Sequence, residues 1–159
     1  MSRLTGGCQC GAVRFAIDPA AVRGSSICHC RMCQKAFGAF YAPLVNVDPA
    51  GLTWTRGEPA RWRSSNMVRR GFCAACGTPL TYEPDGDNPA IAVGAFDDPA
   101  AVPPTRQYGT EAELPFVAHL HELPARTTEE TVAAAEWLGR VVSRQHPDHD
   151  TETWPETRT

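Results

Sequence analysis

Cys8-Gln9-Cys10, Cys28-His29-Cys30-Arg31-Met32-Cys33 and Cys73-Ala74-Ala75-Cys76 hold all seven cysteines of the chain. An odd count at such tight spacing makes a poor disulfide framework, and bridging a Cys-x-Cys pair strains its short ring. In a reducing compartment such clusters read as metal sites. Thiolates two or three positions apart on a tight turn can converge on one ion, with nearby backbone amides stabilising their charge. Zinc is the first choice, a borderline-soft cation that takes four sulfurs tetrahedrally at ~2.3 Å. An iron–sulfur cluster is the inorganic rival.

Seven divides naturally into four plus three. Two short pairs can close a four-thiolate site, and the triplet then forms a three-thiolate site with one position free. That is the physical difference between structural zinc and catalytic zinc. Spacing alone does not decide which pairs join. Cys8/Cys10 with Cys73/Cys76 is favoured, because it ties an N-terminal strand to a distant hairpin and closes a long loop.

Outside the cysteines the chain reads as one domain of ordinary composition: 159 residues, 42% hydrophobic and 21% charged. The net charge of −3 gives no basic footprint, which argues against a nucleic-acid partner or an anionic membrane surface. No apolar run approaches a membrane span, and no basic-then-apolar leader opens the chain, so a cytoplasmic protein is expected. Short strands are expected at Ala12–Ile17, Phe40–Val47, Met67–Phe72, Pro79–Glu83 and Ala90–Val93. Pro43 marks Phe40–Val47 as an edge strand or a bulge. Leu52–Arg56 and Ala60–Arg63 flank Gly57-Glu58-Pro59 as a predicted hairpin. A capping box at Thr127-Thr128-Glu129-Glu130 opens a C-terminal helix with Ala134, Leu138, Val141 and Val142 at helical spacing, stopped by Pro147. The expected organisation is a zinc-binding β domain over 1–126, a helix over 127–146 and a disordered tail over 147–159, with the helix a candidate homodimer element.

Three blocks carry a resemblance: Gly6-Gly7-Cys8-Gln9-Cys10-Gly11-Ala12-Val13-Arg14-Phe15, Cys28 through Gly38, and Phe72-Cys73-Ala74-Ala75-Cys76-Gly77-Thr78-Pro79-Leu80. Together they resemble the glutathione-dependent formaldehyde-activating enzyme family, which shares its domain with centromere protein V. Weaker echoes continue in Trp54–Pro59, Asp97-Asp98-Pro99 and Leu123-Pro124. The resemblance implies an all-β, Mss4-like (β-tent) fold of small antiparallel sheets around zinc, to which the C-terminal α-helix is appended. It implies two zinc ions. Cys8, Cys10, Cys73 and Cys76 match the structural ligands, while Cys28, Cys30 and Cys33 match the second, catalytic and labile site. It implies a carbon–sulfur lyase whose partners are glutathione and formaldehyde, giving S-hydroxymethylglutathione. Two departures stand out. Pro103-Pro104-Thr105-Arg106-Gln107-Tyr108 lacks the family's His followed by an aliphatic residue, and Phe116 stands where a Trp is common.

The competing reading is a zinc-stabilised binding module without chemistry, for which the sequence offers only the terminal helix with Trp137 and Trp154. A methionine sulfoxide reductase is rejected, since no cysteine follows Cys76 to serve as a redox thiol. Arg31 and Lys35 flank the triplet as candidate cations for glutathione carboxylates, although a solvated surface charge is the better reading of each. His119 and His121 would share one face of a strand and read as a hydrogen-bonded surface rather than a metal site. His29, between two ligands, is expected to shape the loop. His146 and His149 carry no assigned role.

Overall fold

The computed structural model describes residues 2–153; Trp154 and the remainder of the expected tail lie outside the described residues. A three-stranded antiparallel sheet is built from β1 (Leu4–Gly7), β2 (Arg14–Ile17) and β5 (Leu52–Arg56), with β2 in the centre. The remaining strands are β3 (Val22–Cys28), β4 (Ala42–Val47), β6 (Ala60–Arg63), β7 (Val68–Phe72), β8 (Pro79–Pro84), β9 (Ala90–Ala92) and β10 (Arg106–Tyr108). They form one seven-stranded sheet in the order β10-β3-β4-β9-β8-β7-β6. Its pairs are antiparallel except at one edge, where β10 runs parallel to β3. No helix among the described residues is long and apolar enough to cross a membrane.

The all-β expectation is corrected: this is a mixed α/β fold with open sheets, not an Mss4-like one. A helix, α1 (Arg31–Phe37), is inserted between β3 and β4, and it carries the last cysteine of the triplet. Its sequence Arg-Met-Cys-Gln-Lys-Ala-Phe has no β-branched residue, and Gly38 caps it at φ +59°, with its N–H on the carbonyls of Gln34 and Lys35. Short 3₁₀ turns punctuate the rest. Asp18-Pro19-Ala20, Asp48-Pro49-Ala50 and Asp98-Pro99-Ala100 each make the same one: the aspartate accepts the N–H two residues on, at 2.9, 3.0 and 3.1 Å, and the proline presets φ.

Two other local expectations also fail. β5 and β6 are not a hairpin, since β5 pairs with β2 in one sheet and β6 with β7 in the other. Gly57, at φ +54° and pressed against the Ala12 carbonyl, passes the chain between the sheets. Pro43 lies in an inner strand, and it is tolerated because β9 pairs only with Leu44–Asn46, leaving the proline beyond that ladder.

The main core joins the sheets. Phe15, Ile17, Val45, Val47, Leu80 and Ile91 are fully buried, and the Phe15 ring meets Trp54 and Phe96 edge-on at 6.0 and 5.2 Å. The C-terminal helix is shorter than its apolar pattern. α2 (Thr128–Ala134) has the expected capping box, then gives way to a 3₁₀ turn over Glu136–Arg140. Gly139 and the β-branched Val141-Val142 oppose its continuation, and Trp137, Val141 and Val142 stand exposed. The chain from His146 then returns to the domain. The His146 N–H donates to Gln9 O at 2.7 Å, Asp150 pairs with Arg14 at 2.7 Å, and Arg56 donates to Thr151 O.

Gly6 shows how closely β1 packs against the turn that follows β9. A Cβ there would stand 2.3 Å from Ala95 O and 2.5 Å from the Phe15 ring. Gly6→Ala is expected to destabilise the metal-loaded protein by about 1–3 kcal/mol in urea unfolding. Gly94→Ala, where nothing lies within 4 Å of the added carbon, should stay within about 0.5 kcal/mol. Equal effects at the two positions would refute this packing.

Candidate metal centres

Cys8 and Cys10 follow β1, and Cys73 and Cys76 occupy the turn between β7 and β8. Each pair is a knuckle closed by a glycine in the left-handed region, Gly11 at φ +82° and Gly77 at φ +79°. Gly11 N donates to Cys8 O at 3.0 Å and Gly77 N to Cys73 O at 2.8 Å. The knuckles are docked by the Gln9 N–H on Thr78 Oγ1 at 3.0 Å. All four Sγ atoms lie within 4.8 Å of one another. A tetrahedron of ~2.3 Å metal–sulfur bonds has edges of ~3.8 Å. The Cys8–Cys10 and Cys10–Cys73 sulfurs are 3.6 and 3.8 Å apart, so the set fits a four-coordinate thiolate ion.

The triplet forms a second, separate cluster. Cys28 ends β3, Cys30 caps α1 and Cys33 lies in its first turns. Their sulfurs also fall within 4.8 Å of each other, with Cys28 and Cys30 at 3.4 Å. Among the described residues no fourth Cys, His, Asp or Glu completes this group. It therefore fits three of the four positions of a tetrahedral ion.

Metal-free, these thiols are strongly split. Burial pushes Cys10 and Cys28 up to about 12, against single opposing N–H groups of Ala12 and Cys30. Cys76 moves down to about 6: burial raises it, but the Thr78 hydroxyl and the N–H groups of Thr78 and Cys10 outweigh that. Cys30 is lowered too, its burial outweighed by the Cys33 N–H, by Cys28 and Cys33, and by the Met32 N–H. Backbone amides thus aim at these sulfurs, as a thiolate–metal centre needs.

Three buried polar residues contact the triplet or its loop, of which the sequence singles out only His29. His29 is buried; its Nε2 meets Gln107 Oε1 at 2.7 Å, its N–H donates to Tyr108 O at 2.9 Å, and it does shape the loop. Gln34 is buried and donates to His29 O at 2.7 Å and Ala112 O at 3.0 Å. Arg70 of β7 is 5% exposed and donates to Cys33 Sγ at 3.4 Å. In the sequence it passes for one of fourteen arginines; its signal is strand alternation, because exposed Arg69 turns out to Glu83 at 3.5 Å. A cavity of about 290 Å³ beside α1 is lined by Phe37, Trp62, Arg70, Phe72 and Thr81. A larger one of about 430 Å³ lies by the four-cysteine knuckles, against Gly7, Cys76, Asp97 and His146.

None of the candidate histidines joins either group of sulfurs. Arg31 and Lys35 are exposed on α1, Arg31 donating to Gln34 Oε1 at 3.1 Å. His119 and His121 are not on a strand. They sit exposed in a 3₁₀ segment, Val117–Glu122, where His119 faces Glu122 at 3.1 Å. His146 is buried under the returning chain, with Nε2 on Thr151 Oγ1 at 3.0 Å.

Fold and clusters together define a cysteine-rich domain whose two groups of sulfurs have a geometry compatible with metal coordination. The chain belongs to the family described as glutathione-dependent formaldehyde-activating enzyme, whose model matches residues 3–112 and so includes all seven cysteines and Arg70. A Rhodobacter sphaeroides protein of known crystal structure has a similar fold, with a TM-score of 0.52 and 18% identity, covering 65% of this chain and 98% of that one. No curated protein matches the chain.

Metal binding must displace the protons that burial holds on Cys10 and Cys28. Affinity at both clusters should therefore fall as pH falls, by about tenfold per unit for each proton displaced. Transfer of bound zinc to a chromogenic chelator between about pH 8 and pH 5 measures this. A pH-independent affinity would contradict thiolate ligation.

Proposed function

We propose that this chain is a zinc-dependent enzyme of carbon–sulfur chemistry, acting at Cys28, Cys30 and Cys33 on a glutathione-like thiol and an aldehyde or on their adduct. The observation that carries the reading is the inequality of the clusters: four sulfurs converge in one, three in the other. A closed set suits structural zinc and an open set suits an exchangeable ligand. Cys8, Cys10, Cys73 and Cys76 are assigned the structural ion, and the chemistry is assigned to the domain over 1–126. Seven free cysteines suit a reducing cytoplasm.

Bound zinc would supply the positive charge that keeps a thiol deprotonated near neutral pH. The protein's part is positional. Cys28, Cys30 and Cys33 would hold the ion, and the N–H groups of Cys30, Met32 and Cys33 would stabilise their charge. His29, locked by Gln107, and Gln34, locked to two carbonyls, fix the loop that presents the three sulfurs. In the forward direction the thiol sulfur bonds to the carbonyl carbon and the C=O π pair moves to oxygen. That oxygen takes the proton the thiol gave up, so thiol plus aldehyde equals S-hydroxyalkyl product.

The loaded protein is expected to hold two zinc ions, and Cys30→Ser to hold one. In the cobalt-substituted protein, excess glutathione should change the sulfur-to-cobalt charge-transfer bands in wild type but not in Cys30→Ser. Exchange NMR should then show faster interconversion of formaldehyde and its glutathione adduct. Two ions indifferent to glutathione, with no acceleration, would favour the binding-module reading instead.

A further inference from the structure

Two arginines are buried among the described residues, and they are treated differently. Arg14 meets Asp97 at 2.8 and 2.6 Å and Asp150 at 3.0 and 2.7 Å. Arg70 has no carboxylate partner among the described residues. Its Nε donates to Ser64 Oγ at 3.2 Å, its guanidinium lies 5.0 Å from the centre of the Tyr82 ring, and one terminal nitrogen is buried without a hydrogen bond. The other terminal nitrogen donates to Cys33 Sγ at 3.4 Å. A hydroxyl and a ring face do not neutralise a buried cation, and an unpaired one is strongly disfavoured. The group positioned to do so is the sulfur cluster.

We infer that Arg70 is the counter-charge of the three-cysteine centre. The inference rests on reading that triplet as a metal site. Three thiolates on a divalent ion carry one net negative charge, which Arg70 cancels. A fourth thiolate then brings the assembly to one negative charge instead of two. Arg70 thereby favours both retention of the ion and acceptance of an anionic sulfur as its last ligand. It touches Cys33 and no reacting atom, so it is a positioning residue. The β7–β8 register makes the placement: Arg70 lies opposite Tyr82, and one residue earlier Arg69 lies opposite Glu83.

The test is release of zinc to a chelator from the two-zinc protein, resolved into its two ions. Arg70→Gln should release the triplet ion at least tenfold faster while the four-cysteine ion leaves at the wild-type rate. Arg70→Lys, which keeps the charge, should fall in between. Wild-type release from the triplet of Arg70→Gln would overturn the inference. Should that variant lose both ions, thermal unfolding of Arg70→Met decides. Melting should drop when the triplet is intact, but hold or rise when Cys28, Cys30 and Cys33 are all replaced by Ser, because the cation then has no partner to lose. An equal drop in both backgrounds would overturn it. A wild-type protein that binds only one zinc also overturns it. Two zincs that ignore glutathione, with Arg70→Gln still releasing faster, sustain it while defeating the thiol–aldehyde reading.

Discussion

The convergence of Cys8 and Cys10 with Cys73 and Cys76 is the constraint on which the rest of this structure depends. The first pair leaves β1, in the three-stranded sheet, and the second turns the chain between β7 and β8, in the seven-stranded one. The sulfurs of Cys10 and Cys73 stand 3.8 Å apart across 63 residues of chain. An ion bound there closes a long loop and restrains both sheets at once, which is where such a cross-link opposes the most chain entropy. Cys8 and Cys73 are 3% and 1% exposed, so the sulfurs are also part of the core. Around this point the contacts are close: Gly6 bridges Phe96, and the returning chain lays the His146 amide on Gln9.

The two clusters are built from different local pieces, and that difference decides how many sulfurs each one gathers. At the four-cysteine knuckles each loop supplies two sulfurs and the other loop supplies the rest, so protein ligands complete the set. At the triplet a helix follows immediately. α1 lifts Cys33 to Cys28 and Cys30, and then carries the chain away before a fourth ligand can be reached. Charge follows the same division. Arg14, next to the closed side, is neutralised twice by carboxylates, whereas Arg70 reaches the open side and meets Cys33, Ser64 and the Tyr82 ring, with no carboxylate among the described residues.

Much of this was legible in the sequence because cysteine spacing is a short-range signal with a narrow set of outcomes. The two clusters assemble with the grouping the sequence favours, and most of the strands fall where apolar runs bounded by turn residues put them. What was not legible depends on partners distant in sequence. Ala60–Arg63 reads as the mate of Leu52–Arg56 because they are neighbours, yet β2 and β7 compete for them and win. Pro43 reads as an edge residue because its sequence cannot reveal how short β9 is. The helical reading of 127–146 assumed an apolar face with something to bury against, but Val142 is 82% exposed. The all-β expectation came from the resemblance, and the residues could not correct it, because a seven-residue helix such as α1 leaves almost no periodicity to read.

The segment that the resemblance singled out, Pro103 to Tyr108, has a definite physical position beside the three-cysteine cluster. Arg106–Tyr108 is β10, laid parallel on β3 so that Tyr108 lies opposite Cys28. Its Gln107 holds the buried His29, and the following Gly109 takes φ +64° with its Cα facing Cys30, where a Cβ would come within 2.9 Å of the Cys30 nitrogen. Gln34 then ties α1 to Ala112. Residues 106–112 therefore form a lid of backbone over the triplet loop, fixed at both ends by buried side chains. A His and an aliphatic residue in place of this stretch would alter the very contacts that hold His29. The wall beside the three sulfurs is thus set by β10 and the turn after it, through contacts to His29 and Gln34 that involve none of the cysteine side chains.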